Sequence, residues 1–206
     1  MEQLVIPTPV AYNFPDVAAI KTPVPIEERD DVTVDELERL WESLPYPAEL
    51  YNGRIVYKMA NFAHGMIRTN VAGVIGDYLE SHPIGLAVLG VNFRLGDNRS
   101  KESRIPDVCF ISKERVPKEQ WRFPAMSPDL AVEIISDDDS HKKIMANVKL
   151  YLRHGAKMVW VIFAYTHEVL VCTATGKHYV RDILTAPEVL PEFAIPIQGI
   201  FEGLEE

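Results

Sequence analysis

The chain has 206 residues, 47% of them hydrophobic and 25% charged, with a formal net charge of -9. A chain of this size and balance suits one soluble globular domain, burying on the order of 70% of its unfolded surface without disulfide or metal staples. An acidic total speaks against nucleic acid as a partner, because phosphate binding is driven by Lys and Arg, but the acidity is unevenly placed. Residues 1–48 hold 3 basic and 10 acidic side chains and residues 183–206 hold 0 and 5, whereas residues 49–182 hold 18 and 15. The middle of the chain is therefore mildly basic.

The two cysteines, Cys109 and Cys172, lie far apart inside apolar runs, so neither a disulfide framework nor a cysteine zinc site is indicated, and a reducing cytoplasm is the expected location. The longest apolar run, Met158 to Tyr165, falls well short of the roughly 20 residues of a membrane helix. The first ten residues lack a basic start followed by a long apolar stretch, so no secretory leader is expected.

Five prolines, Pro7, Pro9, Pro15, Pro23 and Pro25, crowd the first 25 residues and disfavour both helix and central strand, which makes Met1 to Asp31 an extended arm before a single domain over 32–206. Thr33-Val34-Asp35-Glu36 forms a capping-box pattern, and Val34, Leu37, Leu40 and Trp41 follow at helical spacing, predicting a short helix that ends before Pro45. Ala48 to Tyr51, then Asn52-Gly53, then Arg54 to Tyr57 read as a hairpin with a type I′ turn. Ile67, Val71, Val74, Ile75, Tyr78 and Leu79 make one stripe of an amphipathic helix from His64 to Ser81.

Three strands are predicted next, at Leu86 to Leu95, Arg104 to Ile111 and Asp129 to Ser136, with a polar loop from Ser112 to Pro128 between the last two. Asp139 to His154 reads as a second amphipathic helix stopped by Gly155. Met158 to Ala164 and Glu168 to Thr173 read as paired strands, and Val189 to Phe201 as a short strand or turn closing over the core. Helices interleaved with strands in this order give an α/β fold, a mixed β-sheet flanked by helices.

Asp107 follows Pro106 in one apolar strand segment, and Glu133 lies inside the next. An ionised carboxylate buried without a partner is several kcal/mol unfavourable, so each must be neutralised, paired or bound to a cation. On adjacent strands the two could share one metal, and oxygen ligands of this kind suit Mg²⁺ or Mn²⁺. The competing reading places both at strand ends in structural salt bridges. The Asp137-Asp138-Asp139-Ser140 run invites a metal reading too, but acidic residues at a helix N-terminus mostly serve as caps. The six histidines show no ligand spacing, so no zinc is assigned. Trp121 and Phe123, near Lys113, Arg115, Lys118 and Arg122, either flank nucleic acid or dock a solvated loop.

Pro106-Asp107 in one strand followed by Asp129-Leu130-Ala131-Val132-Glu133-Ile134-Ile135-Ser136 in the next resembles the PD-(D/E)XK nuclease core. More narrowly, the chain is similar to the Uma family of restriction-endonuclease-like bacterial proteins from about Thr33 to Phe201. The similarity is carried by Glu49 to Val56, Ala63-His64-Gly65, Arg104 to Val108, Pro128 to Ser136, Tyr151 to Ala156, Val159 to Ile162 and Val189 to Phe193. The resemblance implies a restriction-endonuclease-like core and metal-dependent hydrolysis of phosphodiester bonds in DNA, with Asp107 and Glu133 as metal ligands and the Ile134 carbonyl as a third. It also brings Glu49 near the site as an outer carboxylate, and His64 as a phosphate contact or proton carrier. Against these stand a cross-strand pairing of Glu49 with Arg54 and a surface position for His64. A homodimer is expected, since cutting two strands needs two sites.

The chain departs from the nuclease pattern at the lysine. Two residues after Glu133 stands Ile135, which cannot serve, and the position the Uma family uses, four before its tyrosine, is Asn147 here. Lys143 lies one turn before Asn147 on the same helix face, whereas Lys149 lies about 200° round the helix. Lys143 is thus the candidate for the catalytic lysine, with a solvated surface lysine as the other reading. The same departure motivates an alternative function, a nuclease fold without chemistry that binds nucleic acid or a protein partner.

Overall fold

The computed structural model describes residues 25–97, 99–135 and 140–204. Residues 1–24 of the arm expected over Met1 to Asp31 and the Asp137–Asp139 run lie outside the described residues; the rest of the arm makes a helical turn at Ile26–Glu28 and pairs Arg29 with Glu36 at 2.7 Å instead of running extended. A six-stranded sheet forms the centre, in the order β10-β9-β8-β7-β6-β3, built from β3 (Gly85–Val88), β6 (Val108–Ser112), β7 (Leu130–Ile135), β8 (Met158–Phe163), β9 (Glu168–Thr173) and β10 (Lys177–Val180). Its neighbours are antiparallel except β7 and β8, which run parallel. The helix α3 (His141–Arg153) connects that parallel pair, as a parallel crossover requires.

Side chains of β6, β7 and β8 alternate between the two faces. Val108, Phe110, Leu130, Val132, Met158, Trp160 and Ile162 pack with Ile67, Val71 and Ile75 of α2 (Phe62–Ser81) and with the C-terminal segment. Cys109, Ile111, Ala131, Val159 and Val161 pack with Ile144, Val148 and Tyr151 of α3. Both faces are covered, which is why these strands read as continuous apolar runs. The C-terminal cover is a hairpin of β11 (Ile183–Ala186) and β12 (Leu190–Pro196).

A second, four-stranded sheet has the order β2-β1-β5-β4. It contains the predicted hairpin, β1 (Ala48–Tyr51) and β2 (Arg54–Tyr57), with Asn52 and Gly53 both at positive φ, together with β5 (Ser103–Arg104) and β4 (Phe93–Arg94). The helix α1 (Val34–Leu40) begins at the predicted cap, where the Thr33 side chain accepts the Glu36 amide. Val34 and Leu37 pack on Ala48 and Leu50 to form a small separate core.

Two strands expected to be continuous are each divided between the sheets. Leu86 to Leu95 becomes β3 and β4, broken around Gly90 at φ +66°. Arg104 to Ile111 becomes β5 and β6, broken where Pro106 has no amide hydrogen for a ladder. Helix α2 starts at Phe62 rather than His64 because the Asn61 side chain accepts the His64 amide and caps it. Helix α3 is capped by Ser140, whose hydroxyl accepts the Lys143 amide, and ends at Gly155 with φ +102°. Among the described residues no helix is long and apolar enough to cross a membrane.

Asp129 ties the start of β7 to its surroundings. Its fully buried carboxylate accepts the Ser112 amide at 2.8 Å and pairs with Arg115 at 2.8 Å and Lys157 at 3.2 Å. Burial opposes its charge, but the Ser112 amide and Arg115 outweigh that and hold the carboxyl below its ordinary range. Asp129→Asn is expected to lower the melting temperature by roughly 4–8 °C at neutral pH, given about 2 kcal/mol for the charged hydrogen bonds lost. Because the folded pKa is depressed, the advantage of wild type is present above the unfolded carboxyl range and shrinks as pH falls below about 4; calorimetric scans of both proteins from pH 7 to 3 check this.

Candidate active site

The antiparallel register of β6 on β7 pairs Val108 with Val132 and Cys109 with Ala131. Continued by one residue, it sets Asp107 against Glu133. The Asp107 amide donates to the Val132 carbonyl at 2.9 Å, and its Oδ2 accepts the Ile134 amide at 2.8 Å, so the carboxylate is fastened to the β7 backbone. Glu133 lies on the α3 face of the sheet, where the Tyr151 hydroxyl donates to its Oε1 at 2.6 Å. Both carboxyl groups are buried, Asp107 at 4% and Glu133 at 6% exposure.

One ammonium joins them. Lys58 Nζ lies 3.5 Å from Asp107 Oδ1 and 3.4 Å from Glu133 Oε2. His64, in the first turn of α2, approaches the same Asp107 oxygen, with Nε2 at 2.9 Å, a bond that requires the proton on Nε2. Of the two readings of His64, the surface position gives way to a carboxylate contact. Glu49 is also buried, and its Oε1 accepts the Ile105 amide at 2.6 Å. It stands opposite Val56, whereas Arg54 stands opposite Tyr51, so the cross-strand pair of Glu49 with Arg54 does not form.

A cavity of about 320 Å³ opens beside these groups, lined among others by Glu49, Tyr51, Lys58, His64, Glu133 and Lys143. Lys143 lines the cavity, with its Nζ 5.5 Å from the centre of the Tyr51 ring. The ammonium between the carboxylates is nevertheless that of Lys58, while Lys149 is on the exposed face of α3.

Lys58 escaped the motif reading because it follows the hairpin instead of the glutamate. A signal was present. In the two-residue-turn register, Val56 lies opposite Glu49, and Lys58, two residues on, falls on the same face because strand side chains alternate. Glu49, Tyr51, Val56 and Lys58 all line the cavity for this reason.

Asn147 has a different task from the lysine it replaces. Its side-chain amide donates to the Tyr51 hydroxyl at 2.9 Å, and its oxygen accepts from Arg104 Nε at 2.9 Å. The buried Arg104 guanidinium also donates to the carbonyls of Leu50 and Ser103, pairs with Glu102 at 2.8 Å, and stacks 3.5 Å from the centre of the Tyr51 ring. This polar floor locks β1, β5 and α3 together under the cavity.

The electrostatics separate the two acids. Burial pushes the Glu133 carboxyl up to about 7, helped by the charges of Asp107 and Glu49 and opposed by Lys58 and the Tyr151 hydroxyl. Burial acts on Asp107 too, but the His64 hydrogen bond and the Lys58 charge outweigh it and hold that carboxyl below its ordinary range. The arrangement is a paired carboxylate site with one carboxyl held below its ordinary range and one raised to about 7.

The fold and this site define a class: mixed α/β proteins with a nuclease-like core, in which facing carboxylates meet a lysine at the end of a central sheet. The chain belongs to the Uma2 family, described as "Putative restriction endonuclease", which it matches over residues 34–198. A crystal structure of "a putative nuclease belonging to DUF820" from Anabaena variabilis is similar, with a TM-score of 0.68 and 25% sequence identity over 82% of this chain and 97% of that one. A search of curated proteins found no match.

The pH dependence of stability follows from Glu133. Its folded pKa near 7 lies above the unfolded value of about 4.3, so the folded state holds the extra proton between the two and stability falls as pH rises across that window. Urea unfolding of metal-free wild type and Glu133→Gln between pH 5 and 8 is expected to show wild type losing stability relative to the variant as pH rises, levelling above 7. Parallel curves would remove the assignment.

Proposed function

We propose that the protein is a divalent-metal-dependent DNA endonuclease. The observation that carries this reading is the convergence of Asp107, Glu133 and Lys58 within 3.5 Å beside an open cavity. The donor set suits a hard cation. Asp107 Oδ1 and Glu133 Oε2 already share one positive charge, the Lys58 ammonium, at 3.5 and 3.4 Å. An ion that keeps waters and takes a phosphate oxygen, as Mg²⁺ or Mn²⁺ does, fits such an open site.

Asp107 and Glu133 would hold the ion, with the Ile134 carbonyl as a further ligand. When bound, the ion supplies Lewis acidity to the scissile phosphate and acidifies an attacking water. Lys58, released from the carboxylates, swings its ammonium to the phosphate and stabilises the charge that develops there. Glu49 keeps the Ile105 amide and so the chain crossing at Pro106 in place. His64, held by Asp107 at the cavity wall, offers its imidazole as a phosphate contact, and the start of α2 directs partial positive charge toward an anionic substrate. Lys143 adds a second cation at the cavity wall. Cutting both strands of a duplex would engage two copies of the chain, and the cytoplasm, where DNA is available, suits the activity.

Asp107→Asn and Glu133→Gln are each expected to reduce nicking of supercoiled plasmid at least about 100-fold in Mg²⁺ or Mn²⁺ while the fold is retained. Lys58→Met is expected to lose activity by about 10²–10³-fold yet bind Mn²⁺ no more weakly than wild type by calorimetry, because its ammonium no longer competes for the carboxylates. Weaker Mn²⁺ binding in Lys58→Met would overturn the role given to the lysine. Intact DNA with folded wild type in both metals would sink the nuclease reading in favour of a non-catalytic nucleic-acid-binding or interaction module.

A further inference from the structure

A second cavity, of about 540 Å³, adjoins the site. Asn61, His64, Ile134 and Ile135 line both cavities, so the two share a wall at the start of α2 and the end of β7. The far side is the turn between β8 and β9, which contributes Tyr165, Thr166 and His167. Among the described residues the lining contains no Lys, Arg, Asp or Glu. The described lining offers an occupant aromatic and aliphatic walls and the hydrogen-bonding groups of Asn61, Thr166 and the two imidazoles.

Two features of the turn make it a stacking surface. Tyr165 is 71% exposed although its ring lines the cavity. His167 adopts φ +51°, an uncommon backbone state for a residue with a Cβ, and its ring stacks on Phe201 with centroids 4.7 Å apart and planes 15° apart. The buried Phe201 thus backs the imidazole on one side, beside the exposed Tyr165, so the turn presents two flat surfaces to the cavity.

We infer that this cavity receives the base of an unpaired nucleotide adjacent to the phosphate held at Asp107 and Glu133, which makes single-stranded or locally opened DNA the preferred substrate. The inference rests on the nuclease reading for the neighbouring carboxylates. A base inside a duplex cannot enter such a cavity without leaving its stack, and an unpaired base does so most readily. Every base presents a flat face to an aromatic ring, so the contact supports tight binding without a fixed sequence. The mildly basic middle of the chain suits a single strand, which carries less charge per length than a duplex.

The test uses the full chain and single-stranded oligonucleotides carrying 2-aminopurine at successive positions, with Ca²⁺ present. The expected result is a change of emission at one position only, and binding at least about tenfold tighter than for the same sequence as a perfect duplex. Tyr165→Ala is expected to abolish the emission change and weaken binding about tenfold, with Tyr165→Phe restoring both and the melting temperature unaltered. Equal binding of duplex and single strand, or an unchanged Tyr165→Ala, would overturn the inference. Because the readout is binding, a protein that passes this test but leaves plasmid uncut refutes the nuclease reading alone, and one that cuts plasmid but fails here refutes the base site alone.

Discussion

Two carboxylates drawn out of water on facing strands repel each other, and the surrounding structure is arranged around that repulsion. The register of β6 on β7 makes Asp107 and Glu133 neighbours, and burial penalises the charge on both. The answer is asymmetric. Asp107 receives the Ile134 amide, His64 and Lys58, while Glu133 has Lys58 and a single hydroxyl. A buried pair is tolerable only when its remaining lone pairs are satisfied, and here each donor comes from a different element: α2, the hairpin, β7 and α3. Packing of those elements and neutralisation of the acids are therefore one requirement.

The hairpin carries the largest share. Lys58 follows β2 and is anchored by its amide to the Pro47 carbonyl at 2.8 Å, so the position of its ammonium depends on the small sheet. That sheet is braced on its outer side by buried Arg94, which pairs with Asp35 and, at 2.9 Å, with Glu38 of α1; Glu38 also accepts from Arg122 at 2.8 Å and from the Phe123 amide at 2.7 Å. On its inner side the Arg104, Asn147 and Tyr51 chain joins it to α3. Phe123 thereby meets Trp41 edge to face, 5.1 Å between centroids. Its place in the fold is a docked loop, with Trp121 left exposed beside it.

The sequence reading reached what depends on local pattern. The hairpin turn, the Thr33 cap, the Gly155 stop and the alternation of β6, β7 and β8 all follow from short-range sterics and periodicity. It reached Asp107, Glu133, Glu49 and His64 as members of one neighbourhood through family resemblance. The two strand breaks were missed because Gly90 and Pro106 each permit a continuous apolar pattern on either side, and whether a strand stays in one sheet is decided by tertiary pairing. Lys58 and Arg104 were missed for a related reason. Each lies far in sequence from Glu133, by 75 and 29 residues, and only the register of two separate sheets brings them under one cavity.

Placing the lysine on the hairpin has a mechanical consequence. In a core where the lysine is two residues from the glutamate, a single strand fixes both groups, and their spacing survives movement elsewhere. Here Ile135 fills that strand position and packs on the α3 side, so the spacing between ammonium and carboxylates is set by how the small sheet sits on the large one. The two sheets join through the chain crossing at Ile105-Pro106-Asp107, which Glu49 holds by the Ile105 amide. A displacement of the hairpin by one or two ångströms would separate Lys58 from both acids while leaving the central sheet intact. The carboxylates could then accept another cation in its place, and the same ammonium would be free to meet a phosphate. Charge neutralisation of the two acids and, in the proposed reaction, assistance at the phosphate are thus two uses of one side chain, and both depend on the crossings near Gly90 and at Pro106 that link the sheets.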